Sequence, residues 1–117
     1  ALCRDGRTDA LMKGSLHTDE LMAAVVSRAN GLRGRRRISH VFAFDVPAYP
    51  KPLFVTDAAI NIAPDLVAKA DIAQNAADLV RALGVPLPKI AVLAAVETVN
   101  PAMPATMDAA MLSKMAE

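Results

Sequence analysis

Residues 38–65 read ISHVFAFDVPAYPKPLFVTDAAINIAPD, and no other stretch restricts the folds open to this chain so tightly. Two runs rich in β-branched and aromatic residues, 38–46 and 53–58, flank a linker that carries Pro47, Pro50 and Pro52. Runs of this kind at this separation predict a β-hairpin. Proline brings no N–H to a ladder, so all three must lie outside the paired residues or at their ends. The second run passes through Asp57 and Asn61 to Pro64-Asp65, where a long helical pattern begins. A strand therefore hands over directly to a helix, and this junction is the most specific feature of the sequence.

Pro64 is placed in the first turn of that helix, where a missing N–H costs nothing, and the helix is expected to reach Leu83 with Gly84 at its C-terminal cap. Leu66, Ala70, Ala73, Ala77 and Val80 form one apolar face, and Ile72, Ala76, Leu79 and Leu83 form a second. Only Asp71, Gln74, Asn75, Asp78 and Arg81 remain as a polar stripe, so the helix is expected to be covered on two sides. Upstream, residues 1–5 open as though in mid-helix and read as a helix tail stopped by Gly6, and 9–12 as a short strand. Residues 19–30 read as a helix with Thr18 as N-cap and Asp19 and Glu20 at its positive end. Its buried face would be Leu21, Met22, Val25 and Val26, and Asn30-Gly31 would end it. Downstream, 90–96 reads as a strand buried on both faces, followed by a loop with Pro101 and Pro104 and a last helix over 107–116 capped by Thr106. The alternation gives an α/β class, a sheet with helices packed on its faces plus a β-hairpin.

With 117 residues there is one domain at most. A chain that is 54% hydrophobic and 21% charged is not disordered. Its 3% aromatic content and six Met mean an aliphatic, adaptable core. The net charge of +1 gives no pull toward nucleic acid or acidic lipid. Cys3 is the single cysteine, so no intramolecular disulfide can form. The longest apolar run, 90–96, is too short for a bilayer, and no signal-peptide pattern opens the chain. A cytoplasmic location is expected.

The loop Gly14-Ser15-Leu16-His17-Thr18 falls between a predicted strand end and a predicted helix N-terminus, where free N–H groups and the helix dipole favour anions. Lys13, Ser15, His17 and Thr18 add side-chain donors suited to a phosphate group. The same residues also have a structural reading: Thr18 caps the helix, His17 bonds locally and Lys13 is a solvated strand-end charge. Asp57 and Asn61 either orient a ligand or satisfy backbone donors at the turn into the helix, and the second reading suits their types better. Ser39 and His40 point to opposite faces of a strand and make no nucleophile–base pair. Arg33, Arg35, Arg36 and Arg37 lack interleaved aromatics and read as a solvated loop, although a phosphate clamp or nucleic-acid contact would use the same charges. Glu97 and Asp108, with His17 and His40, have no metal-ligand spacing, and there is no Walker or dinucleotide loop. Met103, Met107, Met111 and Met115 recur at helical spacing, as core or interface packing.

The segment VTDAAINIAPD, then AKADIAQNAADLVRALG, then PKIAVLAAVETVNPAMPAT, resembles the phosphate acetyltransferase and phosphate butyryltransferase family. DALMKGSLHTDEL followed by ISHVFAFDVP fits the same family in the same order. The details look closer to butyryl-type members, or to the acyltransferase half of bifunctional enoyl-CoA hydratase/phosphate acetyltransferases. The resemblance implies that residues 1–117 are the central fragment of an acyltransferase domain, part of a larger two-domain isocitrate/isopropylmalate dehydrogenase-like fold. It implies acyl transfer between coenzyme A and inorganic phosphate, with coenzyme A as a substrate and no cofactor or metal. In similar enzymes the 13–18 loop lies at the interdomain cleft, which makes Lys13, Ser15, His17 and Thr18 the substrate-binding candidates. One departure is that acetyl-type members carry an arginine in the following helix, where this chain has Met22, Ala23 and Ala24. The family's serine, arginine and aspartate for CoA binding and base catalysis are expected beyond Glu117, so no catalytic residue is assigned here and the isolated chain is expected to fold but not turn over. A homo-oligomer is expected, with neither nucleic acid nor membrane as partner. Two other readings stay open: a non-catalytic interaction or dimerisation module of the same fold, and nucleic-acid binding through residues 33–37.

Overall fold

The computed structural model describes residues 2–117; Ala1, at the head of the predicted helix tail, lies outside them. The chain divides into two compact units, residues 1–36 and 37–117.

In the first unit, residues 2–6 make turns and not a regular helix. Gly6 nevertheless ends them as predicted, at φ 67°, with its N–H donating to Cys3 O (3.1 Å) and that of Arg7 to Leu2 O (2.9 Å). This is the paired bonding that closes a helical turn through a left-handed glycine. Residues 9–12 form no strand, and Leu11 and Met12 are exposed. Helix α1 spans Thr18–Val25, shorter than the predicted 19–30. Its N-cap is His17, in extended backbone without a side-chain bond, so Thr18 stands inside the helix and caps nothing. After α1 the chain turns sharply: the Gly31 N–H donates to Ser27 O (2.9 Å) and the Leu32 N–H to Val25 O (2.8 Å). A Cβ on Gly31 would stand 2.3 Å from Val25 O and 2.5 Å from Ser27 O, so only glycine fits. Of the predicted buried face, Leu21, Met22 and Val25 are half-buried and Val26 is exposed.

In the second unit, β1 (Val41–Phe44) and β2 (Leu53–Thr56) pair antiparallel, from Val41 opposite Thr56 to Phe44 opposite Leu53. All three linker prolines fall outside the ladder, as their missing N–H requires. Helix α2 covers Leu66–Ala82. Its N-cap is Asp65, whose carboxylate accepts the Ala68 N–H at 2.8 Å, so Pro64 precedes the cap and does not occupy the first turn. The helix ends on Gly84 at φ 96°, with bonds from Gly84 N–H to Arg81 O (3.0 Å) and from Val85 N–H to Val80 O (3.2 Å). That is the closure already seen at Gly6.

The core lies along α2: Ala68, Ile72, Ala76, Ala77 and Val80 are buried. Four of these recur at intervals of four, one stripe of the helix, and the three alanines let neighbouring backbone come close. Strand β2 and helix α3 (Pro104–Met115) both pack on α2. The second predicted apolar face is split: Ile72 and Ala76 are buried in the core, while Leu79 and Leu83 toward its C-terminal end are exposed. In α3, Pro104 takes the first helical position, and Thr106 sits within the helix and does not cap it. Thr106 is only 4% exposed. Its Oγ1 accepts the Asn100 N–H at 2.8 Å and lies within donating distance of Asn100 O and Met103 O, fixing the preceding loop from inside the first turn. Met107, Met111 and Met115 are exposed, not core. The Lys69 ammonium pairs with the Asp108 carboxylate, joining α2 to α3.

Residues 90–96 do not form the predicted central strand, and Leu93 is 85% exposed. A strand exists only with a partner ladder, and among the described residues β1 and β2 pair with each other alone. Among the described residues the observed class is thus a small α/β arrangement of three helices and a two-stranded hairpin, with no wider sheet covered by helices. No helix among the described residues is long and apolar enough to cross a membrane.

Candidate functional site

The 13–18 loop belongs to the first unit and is exposed throughout. Residues 14–16 bend, and the Lys13 Nζ donates back to Leu16 O at 3.2 Å, closing the loop on itself. Lys13 is thereby more than a free solvated charge. Ser15 lies at the bend, His17 is the extended N-cap residue and Thr18 begins α1. Because no side chain caps α1 at His17, the N–H groups of its first turn are open to an incoming acceptor. Asp19 and Glu20 in that turn reduce the local positive field. The loop therefore brings the four candidate residues together in sequence and offers N–H, hydroxyl, imidazole and ammonium donors to solvent. In the same unit an apolar cavity of about 310 Å³ is lined by Leu2, Cys3, Leu11, Leu21, Val25 and Leu32, among others.

In the second unit the strand-to-helix junction is a closed hydrogen-bonded knot. The Asp57 carboxylate accepts the N–H groups of Ala59 (3.0 Å), Ile60 (3.1 Å) and Asn61 (3.2 Å), together with the Asn61 side-chain amide. Partial burial pushes its carboxyl pKa up, but the Ala59 N–H, the Asn61 amide and the Ile60 and Asn61 N–H groups outweigh this and hold it below its ordinary value of 3.8. Asn61 also donates to Ile38 O at 3.0 Å and accepts from the Arg37 guanidinium at 3.4 Å. Asp57 and Asn61 thus do what their residue types suggested and shape entry into α2.

Sequence reasoning missed the partners that α2 contributes. Asp71 accepts the Arg37 N–H at 2.9 Å, while the Asn75 amide donates to Arg37 O at 2.7 Å and to Ser39 Oγ at 3.0 Å. The sequence pattern places these two residues only in a polar stripe of the helix, with no partner named. The available signal was their spacing of four, which puts a short acceptor and a short amide on one line of the helix. Arg37 is accordingly a structural residue of the hairpin entry. Ser39 is bonded to Asn75, and the His40 ring lies edge-on to Phe42 at 4.2 Å with its Nδ1 buried and without a hydrogen-bond partner, so the two form no catalytic pair. Among the described residues no group of His, Cys, Asp and Glu is placed to hold a metal ion.

Comparison with known proteins defines the class. The whole chain, residues 1–117, matches the family described as Phosphate acetyl/butaryl transferase. The chain is 62% identical over 117 residues to a phosphate acetyltransferase of Rhizobium meliloti, covering 100% of this chain and 37% of that protein. It is 50% identical over 107 residues to a probable phosphate butyryltransferase of Bacillus subtilis (92% of this chain, 36% of the relative). It is 41% identical over 116 residues to a phosphate butyryltransferase of Clostridium acetobutylicum (99% and 38%). The chain belongs to the phosphate acetyl/butyryl transferase family, a family of acyltransferases. It spans a little over a third of the length of these relatives. Both kinds of named relative match, and of these three the acetyltransferase is the most similar, so identity does not single out the butyryl type.

Proposed function

We propose that this chain is a segment of a phosphate acyltransferase that moves an acyl group between coenzyme A and inorganic phosphate. The observation that carries the reading is the family match over all 117 residues. In the direction of acyl-CoA formation, the coenzyme A thiolate attacks the acyl phosphate carbonyl, the C–O bond to phosphate breaks and inorganic phosphate leaves. A protein base takes the thiol proton, and N–H or cationic donors balance charge on the phosphate and carbonyl oxygens. Within this segment the 13–18 loop is the part suited to the phosphate end. Lys13 supplies a cation, Ser15 and Thr18 hydroxyl donors, His17 an imidazole, and the open first turn of α1 backbone N–H groups. The reading includes a two-domain dehydrogenase-like fold for the whole enzyme, a cytoplasmic location, and no cofactor beyond the substrate coenzyme A.

The test is thiol release from acetyl-CoA and from butyryl-CoA by the full-length enzyme containing this segment. Release that depends on inorganic phosphate and yields acyl phosphate is the expected result, and the better acyl chain identifies the type. No phosphate-dependent release from either would refute it. A second reading, an interaction or dimerisation module, draws on the exposed apolar residues Leu79 and Leu83 of α2 and Met107, Met111 and Met115 of α3. It predicts loss of assembly, with unchanged loop chemistry, when these residues are made polar.

A further inference from the structure

We draw no further inference here: the strongest candidate, the apolar cavity of about 310 Å³ lined by Leu2, Leu11, Leu21, Val25 and Leu32 in the first unit, opens past leucines that are themselves half-exposed, and nothing in the structure shows what covers it.

Discussion

Removing the Asp57 carboxylate unties the strand-to-helix junction, and the cost follows from its bonds. Three backbone N–H groups and one side-chain amide converge on two oxygens. Bonds to a charged acceptor are worth about 1.5–3 kcal/mol each where water is excluded. Asp57 is only half-buried, so water takes over part of that bonding in a variant. The better guide is the loss of a capping side chain, about 0.5–2 kcal/mol. Because the knot also holds Asn61 against Ile38, the upper end applies, and Asp57→Ala should cost about 2 kcal/mol. Asp57→Asn keeps one acceptor oxygen for Ala59 and Ile60 and should cost about half as much. Amide hydrogen exchange in the full-length enzyme reads this locally. The amides of residues 59–61 should exchange roughly thirtyfold faster in Asp57→Ala, since about 1.4 kcal/mol is a factor of ten. Acid gives a second handle. A carboxyl held below 3.8 in the folded state contributes stability that is complete above 3.8 and is lost as pH falls through the lower folded value. Protection at 59–61 should therefore fall in that acid window in the wild type and lack this component in Asp57→Asn. A cost below about 0.5 kcal/mol, the range of neutral surface changes, or an identical acid response in the Asn variant would mean that the Asp57 carboxylate does not hold this junction.

Gly31→Ala places a methyl 2.3 Å from a backbone carbonyl and should destabilise by about 3 kcal/mol, read as a lowered urea midpoint; an unchanged midpoint would mean that the turn after α1 is not closed this way. Asp65→Ala removes the α2 cap and should cost about 1 kcal/mol, with the Ala68 amide losing protection first. Lys69→Met leaves Asp108 without its cation in a position about one-fifth exposed, and should cost about 1 kcal/mol at low ionic strength and less in 1 M salt. A cost that does not respond to salt would point to packing of the lysine stem instead.

Local chemistry made part of this structure legible. Prolines that cannot enter a ladder marked the connection between the two strands of the hairpin, and a helix pattern running to Gly84 fixed the end of α2, since a left-handed C-terminal residue favours glycine. What stayed hidden depends on distant partners. Residues 9–12 and 90–96 have the composition of strands, but strands are made by pairing, and the ladder of the described residues has no place for them. Thr18 and Thr106 carry the right side chain for a cap one or more residues inside the helix they were expected to start, because the residue that opens a helix is set by backbone angles at His17 and Met103. That residues 13–18 form a loop leading into α1 was legible from Gly14 and the acidic first turn. Asp71 and Asn75 were not legible as hairpin anchors, since their acceptor and donor lie more than thirty residues away in sequence.

The proposed contact between the 13–18 loop and the phosphate end of an acyl phosphate is tested by steady-state kinetics of Ser15→Ala and His17→Ala in the full-length enzyme. Loss of a hydrogen bond worth about 1–1.5 kcal/mol should raise KM for phosphate and acyl phosphate roughly five- to tenfold in each variant, leaving KM for coenzyme A and the thermal midpoint unchanged. Kinetics identical to wild type in both variants would rule out that contact and leave this segment as scaffold and interface.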